Sequence, residues 1–115
     1  MRTLKDVSVV IESGQSLSSI VLLGQTPLMI VMPSAWDAAD LTFLVSVEGD
    51  TFHDVYTDDG TEYSVSAAVD RAIVLDPNKL AGAKYLIVRS GTSAAEVNQS
   101  ADRTIVIATG AHLAR

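Results

Sequence analysis

The chain of 115 residues carries 8 basic and 14 acidic side chains, which gives a formal net charge of −6 at neutral pH. Hydrophobic residues make up 48% of the sequence, and cysteine is absent. This length fits one domain with its own core. The lack of cysteine excludes a disulfide framework, a thiolate zinc site and a cysteine nucleophile. The acidic balance argues against a nucleic-acid partner, because binding to phosphates needs clustered Lys and Arg.

The first thirty residues contain no segment typical of a membrane span or a signal peptide. Two apolar runs, residues 20–23 and 28–32, are separated by residues 24–27. Neither run approaches the roughly 18 apolar residues that span a bilayer. Neither run supplies the continuous apolar core of a signal peptide. We therefore expect a protein that is made in the cytoplasm and has no membrane partner.

Short runs of β-branched residues, bounded by Gly, Pro, Asp, Asn and Ser, are the strongest local signal. Branched side chains pack well on a pleated sheet and lose rotamer freedom in a helix, so these runs predict strands. The nine predicted strands are residues 7–12, 17–23, 28–32, 41–47, 52–57, 62–67, 71–75, 84–89 and 104–109. Alternation such as Phe43, Val45 and Val47 is typical of half-buried strands. We predict a single all-β domain, an antiparallel β-sandwich or jelly roll of about eight or nine short strands.

Two of the predicted strands, at residues 28–32 and 105–108, are apolar on both faces. Such strands are either central and covered on both sides, or they meet a partner chain. The surplus of apolar strand residues therefore leads us to expect contacts between subunits.

The connections predict hairpins and, at most, one or two short helical turns. Glu48-Gly49-Asp50 and Asp58-Asp59-Gly60 each join two strand runs and supply the glycine that tight hairpins use. Residues 76–82 predict a turn or a single helical turn, and residues 34–40 offer another short helical piece.

The histidines do not suggest a catalytic site. His53 precedes Asp54 in a predicted strand, where adjacent side chains point to opposite faces and cannot pair as a base and its orienting carboxylate. His112 lies close to the C-terminus, where order is usually poor. No Gly-x-Ser-x-Gly elbow, phosphate loop or His-Glu-x-x-His motif occurs. We therefore expect no enzymatic activity, no catalytic residue and no cofactor.

Four carboxylates surround one predicted hairpin, and calcium binds several such oxygens. They are Asp50, Asp54, Asp58 and Asp59. Their spacing matches no EF-hand loop, because Gly60 follows at once and Glu62 is too close. Turns favour Asp, and strand edges favour charge, so we predict no metal site.

Two side chains each allow a functional and a structural interpretation. Trp36, the only tryptophan, could stack on a sugar or anchor an interface. It could also plug one end of the sandwich, with its N–H bonded to backbone. Arg89 could bind an acidic ligand or a partner's carboxylate, or it could form an internal bridge to a loop carboxylate such as Asp102.

The segment of residues 90–102 is polar, built from small residues and about a dozen residues long. Loops of that length usually bind something or are disordered. Residues 1–6 and 110–115 have similar character, and we expect all three segments to become ordered only against neighbouring subunits. The candidate interface or ligand residues are Trp36, Arg89, Thr92, Glu96, Asn98, Gln99 and Arg103.

Residues 36–43 (WDAADLTF) and 46–55 (SVEGDTFHDV) resemble a pattern in discoidin-type, galactose-binding-like β-sandwiches. In that family a Trp precedes an L-x-F strand, and S-x-D-G-x-x-F/W-x-x-V follows. Here Glu48-Gly49 stands where the family usually has Asp-Gly. Residues 85–90 (YLIVRS) are similar to the family's strand that ends in Arg. The resemblance implies a sandwich fold and, as one alternative, carbohydrate binding.

The same order of blocks resembles small structural proteins of tailed phages and prophages. The shared features are the Trp–Ala–Leu–Thr–Phe block, the glycine hairpin, and the segments 75–77 (LDP) with Gly82, 89–92 (RSGT), 97–99 (VNQ) and 102–103 (DR). The resemblance covers about residues 30–107. It implies a non-enzymatic virion protein, most simply a capsid decoration or cement protein on the outer surface of the head. The implied partners are the major capsid protein or another virion protein, and further copies of the chain, with a trimer favoured. The alternative is a carbohydrate-binding, receptor-adsorption module of a spike or tail fibre.

Overall fold

The computed structural model describes residues 4–111, and this part of the chain forms nine β-strands and no helix. The strands are β1 (Leu4–Ile11), β2 (Val21–Leu22), β3 (Thr26–Val31), β4 (Leu41–Ser46), β5 (His53–Asp54), β6 (Ser64–Val65), β7 (Ala72–Val74), β8 (Tyr85–Ser90) and β9 (Arg103–Gly110). Each strand lies within or overlaps one of the nine predicted runs. The predicted all-β class is confirmed.

The strands form two antiparallel sheets. The first sheet has the order β1-β9-β3-β7, and the second has the order β2-β8-β4-β5, with β6 also paired to β4. Pairing runs from the two ends of the chain inward, as β1 with β9, β2 with β8, β3 with β7 and β4 with β6. A long antiparallel hairpin folded over on itself in this way is a jelly roll.

The core lies between the inner faces of the two sheets. Alternation along each strand places Val9 and Ile107 on the inner face of the first sheet and Phe43 and Val88 on that of the second, all of them buried. Phe43 stacks on Tyr63 with ring centroids 5.5 Å apart. Burying each large apolar side chain contributes roughly 1.5–3 kcal/mol, so this layer stabilises the sandwich without any covalent link.

The short helical piece expected at residues 34–40 does not form, and that prediction is wrong. The backbone N–H of Asp37 donates to the side chain of Gln99 at 2.8 Å, so a tertiary bond takes the place of a helical one. Residues 76–82 form turns, as expected: Lys79 N–H donates to the Asp76 carbonyl at 3.1 Å, and Ala83 N–H to the Leu80 carbonyl at 3.1 Å.

Residues 4–6 and Gly110, which were expected to belong to extended arms, form parts of β1 and β9 instead. Leu4 and Lys5 pair with Gly110 and Thr109, because β1 and β9 share one antiparallel ladder to its end. Residues 1–3 and 112–115, including His112, lie outside the described residues.

Candidate functional site

Arg89 lies on the outer face of the second sheet, where it pairs across the ladder with Thr42 of β4. It is nevertheless only 4% exposed. Its Nε donates to Thr42 Oγ1 at 2.9 Å, its Nη1 to Asp54 Oδ1 at 2.7 Å and its Nη2 to Glu62 Oε2 at 2.7 Å. The guanidinium therefore joins the β5–β6 hairpin to the sheet, with one positive charge between two carboxylates.

The same cluster holds the loop that follows β8. The Glu62 carboxylate accepts the Ser93 N–H at 3.2 Å and 3.3 Å, and Thr42 Oγ1 donates to the Gly91 carbonyl at 2.6 Å. Two strands, a hairpin and a loop thus meet at Arg89. We name this group of residues (Thr42, Asp54, Glu62, Arg89 and Ser93) the Arg89 cluster.

The internal-bridge interpretation of Arg89 is confirmed, but the suggested partner Asp102 is wrong. Asp102 accepts the Ser13 N–H at 2.8 Å instead. Asp102 directly precedes β9 of the first sheet, whereas Arg89 points outward from the second sheet, so the two cannot meet. Asp54 and Glu62 escaped the sequence analysis as partners. The only sequence feature that indicated them is that each lies in one of the two predicted strands on either side of Gly60.

Gln99 is fully buried and joins three loops. Its Oε1 accepts the Asp37 N–H at 2.8 Å and Arg103 Nε at 3.1 Å. Its Nε2 donates to the Asp37 carbonyl at 3.0 Å and to Ser90 Oγ at 2.8 Å. Its backbone accepts from Gly14 at 2.7 Å and donates to the Gln15 carbonyl at 2.9 Å. Every polar atom of the side chain is therefore satisfied at zero exposure, as a stable buried amide requires.

Arg103 completes this second cluster beside Asp37. Its Nη2 donates to Asp37 Oδ1 at 2.6 Å, and Ser100 Oγ donates to the same oxygen at 2.9 Å. Two hydrogen bonds hold the pKa of the Asp37 carboxyl below its usual value. The bond from the Arg103 guanidinium has the larger effect and that from the Ser100 hydroxyl the smaller one. We name Asp37, Gln99, Ser100 and Arg103 the Gln99 cluster.

Trp36 serves the structural role that the sequence allowed. Its Nε1 donates to the Ala39 carbonyl at 3.0 Å, and its ring packs against the core. The predicted bond from the indole N–H to the backbone is therefore confirmed, and the ring is half-buried against the core.

The loop of residues 91–102 is ordered by bonds within the chain, so the expectation that it orders only against neighbours is wrong. Thr92 Oγ1 accepts the Ala95 N–H at 3.1 Å, and Glu96 accepts the Ser16 hydroxyl. Gly91, at a φ of 93°, packs so closely that an added Cβ would lie 2.5 Å from the Ala95 carbonyl oxygen. Close packing and hydrogen bonds within the chain therefore hold this loop in place.

The seven candidate residues therefore fall into three groups by burial. Arg89 and Gln99 are buried, which corrects their assignment as contact residues, because each is fully occupied in supporting loops. Glu96 and Asn98 are exposed, whereas Trp36, Thr92 and Arg103 are half-buried. A contact between these five and a partner remains a prediction.

Two of the four hairpin carboxylates, Asp54 and Asp59, are bonded within the chain. Asp54 pairs with Arg89, while Asp59 accepts the Thr57 hydroxyl and, at 3.0 Å, the Thr61 N–H. These hydrogen bonds lower the pKa of Asp59, and the bond from the Thr57 hydroxyl has the largest effect. Within residues 4–111, no group of three or more His, Asp or Glu side chains is arranged to hold a metal ion.

The outer face of the first sheet is mostly apolar on β9, β3 and β7, whereas on β1 the polar residues Ser8 and Asp6 lie opposite Val106 and Ala108. The register brings Val31, Val106 and Ala72 into one row and Met29, Ala108 and Val74 into the next. Val74 is 81% exposed and Val31 40% exposed. We call the outward apolar residues of this sheet the first-sheet face: Leu4, Val10, Met29, Val31, Ala72, Val74, Val106 and Ala108.

A smaller apolar surface lies on the outer face of the second sheet. Leu22 stands opposite Tyr85, and Leu44 opposite Ile87. Leu22 is 57% exposed. The Arg89 cluster borders this surface, which we call the Leu22 surface.

No family model matches this chain, and the searches of curated proteins and of solved structures found no match. Among the described residues, none belongs to a helix that could cross a membrane.

Proposed function

We propose that this protein is a non-enzymatic structural protein of a phage particle, a capsid decoration protein bound to the outer surface of the head. Its partners in this role are the major capsid protein and other copies of itself. The observation that carries the proposal is the presence of two separate apolar surfaces, the first-sheet face and the Leu22 surface, on opposite outer faces of one sandwich. The phage setting comes from the sequence resemblance.

Two contact surfaces on opposite sides suit a protein that strengthens a shell. A decoration subunit must hold the capsid and its neighbours at once. Many modest contacts, repeated by symmetry, then give high avidity without any one strong contact. The net charge of −6 fits a position outside the shell, away from the genome.

The two arginine-containing clusters favour binding by a rigid body. The Arg89 and Gln99 clusters fix the hairpin and the long loops to the sandwich before any partner arrives. A surface that is already ordered loses less conformational entropy on association. The carbohydrate-binding alternative rested on Trp36, Arg89 and the resemblance to galactose-binding-like sandwiches. Both side chains are bonded within the chain, so we do not propose it.

The proposal is tested by co-sedimentation of the purified protein with expanded capsids of the phage or prophage that encodes it, assembled without this protein. We expect saturable binding and greater resistance of the capsids to heat. The variant Leu22→Glu places a carboxylate in the Leu22 surface and is expected to weaken binding. The matched control is Val47→Glu, an exposed apolar position after β4. Absence of binding, together with unchanged particle stability on deletion of the gene, contradicts the proposal.

A further inference from the structure

We propose that the first-sheet face is the surface through which two copies of this protein pair. The inference deepens the proposed function, because it names a second copy as one partner, and it takes its biological role from that function. It depends on three properties of the face, namely its charge, its area and its symmetry.

The first-sheet face is almost free of charge. At the outward positions of the four strands, within the described residues, the only ionisable side chain is Asp6 on the edge strand β1. Each copy carries a net charge of −6, so two copies repel one another at most orientations. An uncharged face is where two such copies approach without burying unpaired carboxylates. A strongly basic partner would instead match a face that carries acidic side chains.

The area of the face suits a pair of modest affinity. Its longest strands, β1 and β9, have 8 residues each. With strands about 4.8 Å apart and about 3.3 Å of rise per residue, the four strands cover on the order of 400–500 Å². Two copies that meet through this face bury on the order of 1,000 Å² in total, the lower end of specific interfaces. Such a pair forms reversibly in solution and is reinforced when both copies are bound to a shell.

A contact of this face with itself closes by two-fold symmetry. The same residues contribute from both copies, so the assembly stops at two subunits. The two first sheets then stack about 10 Å apart, as the layers of a sandwich do. The geometry therefore favours a pair, where the sequence resemblance led us to expect a trimer.

Sedimentation velocity over a series of protein concentrations tests the inference. The variants Val31→Glu and Val74→Glu each place a carboxylate in the first-sheet face. Val47→Glu is the matched control, because Val47 is 74% exposed, carries the same change and lies outside the face. Circular dichroism checks that all three variants keep the β-sandwich.

We expect the wild-type protein and Val47→Glu to pass from monomer to dimer with rising concentration. Val31→Glu and Val74→Glu should weaken this association at least about tenfold, because pairing would bury an unpaired charge. A wild-type protein that stays monomeric, forms trimers, or dimerises equally well with both face variants overturns the inference.

Capsid co-sedimentation of the same variants separates this inference from the proposed function. A monomeric protein that still binds capsids overturns the pairing and leaves the proposed function standing. A protein that dimerises through the first-sheet face but does not bind capsids supports the pairing and contradicts the proposed function.

Discussion

The side-chain amide of Gln99 pairs with the backbone of Asp37 in both directions, as a neighbouring β-strand would. Nε2 donates to the Asp37 carbonyl at 3.0 Å, and Oε1 accepts the Asp37 N–H at 2.8 Å. One side chain thus substitutes for a strand where the segment of residues 34–40 has no ladder of its own. This pairing accounts for the absence of a helix in the segment.

The first prediction concerns Gln99→Glu, which keeps the shape of the side chain and replaces its donor by a carboxylate oxygen. The new oxygen faces the Asp37 carbonyl in a fully buried site. We expect a loss of roughly 2–4 kcal/mol in the free energy of unfolding, measured by urea denaturation. The neighbouring Asn98→Asp makes the same change on an exposed residue and is expected to cost less than about 0.5 kcal/mol. Equal effects of the two variants would contradict the assigned role of Gln99.

The second prediction concerns Arg89, which lies between Asp54 and Glu62. Arg89→Met leaves two carboxylates facing each other without a cation, and we expect a loss of about 3–5 kcal/mol of stability. Arg89→Lys restores the charge but not the fork geometry, so only part of the loss should be recovered. Arg71→Met, at an exposed position, is the control. The expected order of unfolding midpoints is control, Lys variant and Met variant, and any other order argues against the cluster.

The third prediction is a dependence of stability on pH. Arg103 and Ser100 lower the pKa of Asp37 in the folded protein. A lowered folded pKa adds stability that is complete above the unfolded value, near 3.8, and is lost as pH falls through the folded value. Between about pH 5 and pH 2, the wild-type protein should lose more stability than Asp37→Asn. Thermal unfolding measured across this range checks the sign, and parallel curves for the two proteins would exclude the effect.

The fourth prediction compares two glycines with similar backbone conformation. Gly91 and Gly60 have φ angles of 93° and 88°. An added Cβ at Gly60 meets nothing within 4 Å, whereas at Gly91 it would lie 2.7 Å from the Val97 nitrogen. Gly60→Ala should therefore cost only about 1–2 kcal/mol of backbone strain, and Gly91→Ala clearly more. If both variants unfold at the same denaturant concentration, the close packing of the loop is not as described.

The strands could be predicted from the sequence because their signals are local. β-branched runs, alternation and turn glycines act over a few residues, and all nine predicted runs contain or overlap a strand. The predicted strands that are apolar on both faces correctly indicated apolar residues outside the core. Residues of β9 such as Val106 cover no core, yet they are apolar, and they belong to the first-sheet face.

The all-β class, the hairpin glycines and the excess of apolar strand surface can be read from the sequence, because each depends on neighbouring residues. Which charged and amide side chains meet is a property of the folded chain. Arg89 lies 35 positions from Asp54, and Gln99 lies 62 from Asp37. Such partners depend on sheet order and on strand register, and a slip of one residue turns a side chain to the opposite face. No local pattern carries that information. An arginine in an apolar strand therefore predicts a carboxylate partner, but it does not predict which carboxylate that is.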